Sequence, residues 1–240
     1  MLMLPLKFDK RLFFIFFIAF IFSTIAGTLS HEFGHYVMAK SLGYQPRISY
    51  GHCNWEQDED AKAIDSVFNK YKGDSLPAID SADIIFLNGI GERQERDDFW
   101  IGFGGPAQTM LTGSIGFLMI WWNRKKISES AKLSFYQWVL IFLSLFWLRQ
   151  VAIFGVILLA WLITGELKFG GDEYGLALKS GLPQWSIILP SALTGLAILW
   201  YIVFKIIPGR QRLTFLLSGL AGGVFGYYFW LLWIGPKIMP

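Results

Sequence analysis

The chain has 240 residues, of which 54% are hydrophobic, 18% aromatic and only 16% charged, with a net charge of +3. That much apolar surface exceeds what one soluble core of this length buries, so the balance excludes an ordinary soluble domain and points to a helical bundle in a lipid bilayer. The positive charge is spread over loops and gives nucleic-acid binding no support, and a single cysteine, Cys53, excludes a disulfide framework and a Cys-based zinc cluster.

The first predicted element is a membrane helix over residues 12–42. It is longer than the roughly 20 residues a bilayer requires, so its C-terminal third is expected to emerge at or beyond the interface before Gly43 stops it. Lys7, Lys10 and Arg11 precede the apolar run as they would in a secretory signal. The helical pattern nevertheless continues unbroken through His35, Val37 and Ala39, and the segment reads as a retained span.

Near the end of this helix stands His31-Glu32-Phe33-Gly34-His35, an H-E-x-x-H pattern holding two of the three histidines in the chain. Residues four apart share a helix face, so both imidazoles can reach one metal ion, while Glu32 can serve as base for a water that the ion activates. Ionisable groups are costly at the edge of a membrane span, which favours a functional reading. The alternative is a pair of interfacial histidines near lipid headgroups.

Residues 44–99 are expected to form an extramembrane insertion within a single membrane-embedded domain covering residues 1–240. Its start is acidic, with Glu56, Asp58, Glu59 and Asp60 close together. An amphipathic helix is predicted over residues 61–71, with Ile64, Val67, Phe68 and Tyr71 on one face, and residues 83–87 read as a strand. These elements either cover the site or form a folded loop lying on the membrane surface.

Four further spans follow, over residues 100–122, 135–164, 185–207 and 213–234, giving an all-α polytopic membrane protein with about five transmembrane helices. The third carries Arg149 and Gln150 within an apolar run. Arg149 either pairs with a carboxylate near the site, Asp172 or Glu173, or marks the junction of two shorter helices. In the fourth and fifth spans, Pro190 and the cluster Gly219, Gly222, Gly223 and Gly226 are expected to kink the helices or allow close packing.

Basic residues flank the first span, follow the second as Arg124-Lys125-Lys126, and lie between the fourth and fifth as Lys205, Arg210 and Arg212. Those segments are expected to be cytoplasmic, with the amino terminus inside. His31 and His35, the start of the second span and the loop at 166–182 then fall on one outer side, where they can converge.

Two histidines leave a catalytic zinc short of its usual third protein ligand. The best-placed donors are Asp172 and Glu173 in Phe169-Gly170-Gly171-Asp172-Glu173-Tyr174-Gly175, at the start of a short predicted helix whose dipole favours acids. Plain N-capping by Asp172 is the alternative, and His52 is a further ligand candidate.

These residues together resemble the site-2 protease type of intramembrane zinc metalloproteases. The islands of resemblance are His31 to His35 with the following Tyr36-Val37-Met38-Ala39-Lys40, then Gly104-Gly105-Pro106-Ala107-Gln108, then Asp172. The family commonly has Asn where Gln108 stands, and its Asp usually precedes Gly rather than an acid such as Glu173.

The resemblance implies a membrane endopeptidase that binds Zn²⁺ through His31, His35 and Asp172, with Glu173 as the other candidate ligand, and uses Glu32 as general base. It further implies that Gly105, Pro106 and Gln108 help bind substrate, drawn from membrane proteins in the bilayer, with Arg149 supporting a metal ligand. The competing classes are a catalytically silent relative that binds membrane helices and an ion-binding transporter. The near absence of ionisable residues elsewhere in the spans speaks against the transporter.

Overall fold

The computed structural model describes residues 7–55, 58–72, 79–128 and 132–240. Helix α1 (Lys10–Ser41) is started by Asp9, whose carboxylate accepts the Leu12 amide at 3.1 Å. It ends where Gly43 adopts a left-handed backbone, φ 91°. A two-stranded antiparallel hairpin follows, β1 (Arg47–Ile48) and β2 (Cys53–Asn54), and then α2 (Asp58–Lys70). Glu56 lies outside the described residues, as do the side chains of Asp58 and Glu59.

The amphipathic helix expected at 61–71 is present as α2. Val67 is buried, Phe68 is exposed, and the buried Asp60 pairs with Arg93 and Gln94 of the next helix. That next helix, α3 (Ser81–Trp122), runs unbroken for 42 residues. The expectation of a strand at 83–87 is therefore corrected, and the helix that carries residues 100–122 begins at Ser81. Asp80 caps the helix by accepting the Ala82 amide, and its carbonyl accepts the amide of Ile84. A short apolar run fits either period, and here the cap decides for helix. Ile84, Ile85 and Phe86 stay exposed, whereas Ile90, Asp97 and Ile101 face inward.

A short α4 (Arg124–Ser128) leads to α5 (Phe135–Ser144), which opens with a capping box between Ser134 and Gln137. A 3₁₀ turn over Leu145–Trp147 joins α5 to α6 (Leu148–Thr164), so the third span is two helices meeting just before Arg149. This joint is deeply seated. A Cβ on Gly113 or Gly116 of α3 would press into Trp147 or the Ser144 amide, and one on Gly195 would lie 2.7 Å from the Trp147 carbonyl. Close backbone approach at these glycines fixes where Arg149 emerges.

After the left-handed Gly165 and Gly171 come α7 (Asp172–Lys179), α8 (Ile188–Tyr201) with a π-helical turn over Ile202–Ile206, and α9 (Gly209–Tyr227) with a second π-helical turn over Tyr228–Ile234; a final α10 (Gly235–Ile238) follows. Pro190 lies in the first turn of α8, where its missing N–H leaves no helical bond unmade, so it does not kink the span. Gly219, Gly222 and Gly226 pack against Phe17, Phe20, Ile21 and Thr24 of α1, while Gly223 faces open space. Phe16, Phe20, Trp138 and Phe215 form the aromatic centre between α1, α5 and α9.

Among the described residues, four helical segments are long and apolar enough to cross a membrane: Lys10–Ser41, Phe135–Thr164, Ile188–Ile206 and Gly209–Ile238. The fold is thus an all-α, multi-pass membrane bundle with a small hairpin at the end that holds the histidines. The expected span at 100–122 is helical but is not among these four, because Gly, Gln, Thr and Ser interrupt its apolar run.

Candidate metal centre

Helical spacing puts His31 and His35 on the buried face of α1, where the two Nε2 atoms lie 3.2 Å apart. Space for them comes from α3. A Cβ on Gly105 would run into His35 Nε2 and lie 2.6 Å from His31 Nε2. At the neighbouring positions, Gly34 of α1 and Gly104 of α3 touch backbone to backbone, so a Cβ on either would collide with the other's carbonyl. The two helices can cross this closely only because both positions are glycine.

The outward nitrogen of each ring is committed. His35 Nδ1 contacts the Ile101 carbonyl at 2.7 Å, and a carbonyl only accepts, so Nδ1 carries the proton. Thr109 donates its hydroxyl to the Gly105 carbonyl and accepts from His31 Nδ1 at 2.9 Å. With Nδ1 donating, the neutral tautomer of each ring leaves the Nε2 lone pair free to ligate.

The third donor comes from α7. Asp172 Oδ2 lies 2.8 Å from His31 Nε2 and 3.6 Å from His35 Nε2. Gly171, not Asp172, occupies the N-cap position of α7 and no side-chain cap bond is made, so capping does not account for the acid. Burial would raise the Asp172 carboxyl, but its polar contacts with His31 and His35 outweigh this and hold it well below the usual carboxylate range.

His31, His35 and Asp172 form the group able to hold a metal ion among the described residues. Ligands at about 2.0–2.1 Å from a tetrahedral ion stand roughly 3.3 Å from one another, a value that lies within the 2.8–3.6 Å range of the three separations found here. Two imidazole nitrogens and one carboxylate oxygen suit zinc and its first-row neighbours.

Of the other acids, Glu173 does not reach the histidines. It is fully buried, and its Oε1 accepts from Arg149 Nη1 at 3.0 Å. Arg149 Nη2 lies 2.9 Å from His31 Nε2 and 3.1 Å from Asp172 Oδ2, so the guanidinium ties both acids of α7 to the histidine face. Glu32 is buried beside His31 and makes no hydrogen bond with another described residue. His52 bonds Ser49 in the hairpin and stands apart from the ligand group.

Pro106 is buried inside α3 rather than at a helix start, so the Gly102 carbonyl receives no helical donor from position 106. Gln108 accepts from Ser30 at 3.2 Å and donates to Thr112 at 3.0 Å, with its amide turned along the α1–α3 crossing.

Several neighbours escape a reading of the sequence. The Ile101 carbonyl gives no signal at all, whereas Thr109, one turn beyond Gly105, could have been found as an orienting group once Gly105 was placed near the site. Trp55 stacks against His35 with ring centroids 6.2 Å apart and donates to Asp98, which also pairs with Lys179 of α7. Cys53 sits in the same hairpin, and burial together with the charge of Glu32 pushes its thiol up to about 11.

Compared with protein-family models, with curated proteins and with solved structures, the chain matches none.

Proposed function

We propose that this chain is a zinc-dependent membrane endopeptidase of the site-2 protease type, cleaving peptide bonds in or near membrane-spanning segments of other proteins. The observation that carries the reading is the convergence of His31 Nε2, His35 Nε2 and Asp172 Oδ2, with both outward ring nitrogens already engaged. A zinc ion held there would polarise the scissile carbonyl and make water a nucleophile near neutral pH.

Glu32, next to His31 and free of hydrogen bonds to other described residues, takes the proton from the attacking water and returns it to the leaving amine. Thr109 and Ile101 hold the two rings in the ligating tautomer. Pro106 offers no N–H to the Gly102 carbonyl of α3, a backbone acceptor against which an unwound substrate can pair. In this reading residues 100–122 of α3 form a fifth crossing, the amino terminus is cytoplasmic, and the site lies toward the outer face.

The test is the metal content of purified protein by elemental mass spectrometry, for wild type and for His35→Ala, Asp172→Ala and Glu173→Ala. About one zinc per chain is expected, lost with His35 and Asp172 and retained with Glu173. A folded, metal-replete wild type without zinc would overturn the reading. Glu32→Gln is expected to keep the metal and to abolish cleavage of a membrane-protein substrate. Cleavage at the wild-type rate would remove Glu32 from the mechanism.

A further inference from the structure

Three potential ligand atoms, His31 Nε2, His35 Nε2 and Asp172 Oδ2, face one another at 2.8–3.6 Å. In this structure the permanent cation that lies against them is Arg149. Its Nη2 sits on His31 Nε2 and Asp172 Oδ2, two of the three atoms that a metal ion would take. His31 Nε2 has one lone pair, which a guanidinium and a divalent ion cannot share.

Glu173 shows where the guanidinium can go. Its side chain is 0% exposed, Oε1 holds Arg149 Nη1 at 3.0 Å, and Oε2 is buried with no hydrogen-bond partner among the described residues. An unfilled carboxylate oxygen next to one that already accepts from Arg is half of a fork-to-fork pair. A fully buried carboxylate with an idle oxygen is costly unless the oxygen is used in another state of the site.

We propose that Arg149 and Glu173 form an exchange pair for metal loading. Without metal, Arg149 neutralises the ligand cluster. With metal, it withdraws from His31 and Asp172 and closes both arms of its fork on Glu173, so Arg149 keeps a carboxylate partner in both states. Arg149 is thus a positioning residue that competes with the metal, and Glu173 is the receiver that makes the competition reversible. This rests on the metal-site reading above.

The test is a double-mutant cycle on the full chain in detergent, reading Co²⁺ affinity from its d–d absorption and Zn²⁺ affinity by competition. Glu173→Gln removes the receiver's charge but not its shape, and Arg149 then stays on the ligands. Metal affinity is expected to fall about tenfold or more. Adding Arg149→Met removes the competitor, and the double variant is expected to return to within about threefold of wild type. A double variant as weak as Glu173→Gln, or weaker, would show that Arg149 only braces Asp172 and would overturn the proposal. Loss of metal binding by wild type itself would instead sink the metal-site reading.

A zinc-loaded structure of the wild type checks the same point without relying on variants that fold poorly. Both Arg149 Nη atoms on the two Oε atoms of Glu173 is the expected result. Nη2 still on Asp172 Oδ2, with Glu173 Oε2 unpartnered, overturns it.

Discussion

The two halves of the site are built on opposite terms. On the α1–α3 side each histidine has its outer nitrogen satisfied, its ring lodged against glycine, and its backbone locked by a glycine-to-glycine helix crossing. On the α6–α7 side Arg149 bridges three partners, Glu173 Oε2 is buried without one, and the amide of Gln150 is buried with neither its nitrogen nor its oxygen engaged by a described residue. Satisfied polar groups hold one geometry, whereas idle buried ones are retained where a second arrangement uses them. The histidine half is a rigid template, and the Arg–Glu half is the part able to rearrange.

The largest expected effect breaks the rigid half. Gly105→Ala puts a methyl group into the space of both ligating nitrogens, and neither ring can retreat without giving up its bond to Thr109 or Ile101. Metal affinity is expected to fall on the order of 100-fold, with helical content unchanged by circular dichroism. Wild-type affinity in this variant would show that the rings do not converge where they are placed. Gly113→Ala, which crowds Trp147 at the joint before Arg149, is the matching variant for the other half. It is expected to lower stability by about 1–3 kcal/mol, read in a detergent unfolding titration, while moving metal affinity far less than Gly105→Ala does.

The same contrast explains what the sequence makes legible. The i, i+4 histidines, Glu32, the Gly-Gly-Pro run and the pair of acids Asp172 and Glu173 rest on local spacing and residue chemistry, and those marks stand in the chain itself. Glu173 was a rival to Asp172 by the same marks. Only the packing of α6 against α7 separates them, by turning Asp172 to the histidines and Glu173 to Arg149. The helix at 81–99 was illegible for a different reason: an apolar run of five residues carries no period of its own, and the cap at Asp80 settles it. Four of the five expected spans meet the length and hydropathy of a crossing. The glycines and hydroxyls that build the site in α3 are the residues that dilute its apolar signal.

A smaller effect sharpens the tautomer argument. Thr109→Val removes the acceptor for His31 Nδ1 while keeping the side-chain shape, so the ring loses the bond that leaves Nε2 free to ligate. Metal affinity is expected to drop about tenfold, and Thr109→Ser, which restores the hydroxyl, is expected to recover most of it. Equal affinity in Thr109→Val and wild type would mean that the ring orientation is set by packing alone.

The smallest effect tests whether the hairpin lies over Glu32, where a substrate must approach. Cys53 is buried, and its thiol is pushed up to about 11, first by burial and then by the negative charge of Glu32. The thiolate is the nucleophile, so at pH 8 alkylation of Cys53 in the folded protein is expected to run about 100-fold slower than that of an unhindered thiol. Raising the pH increases the thiolate and the rate together, with no plateau below about 11. Glu32→Gln removes one of the two causes. Neutralising a nearby anion favours the thiolate, so the rate at a fixed pH rises by roughly two- to threefold, while burial keeps it well below the unhindered value. The rate is read with a neutral alkylating reagent on the single cysteine. No change in Glu32→Gln would place the hairpin too far from Glu32 to share its field, and a rise to the unhindered rate would mean that the substitution has lifted the hairpin away from α1.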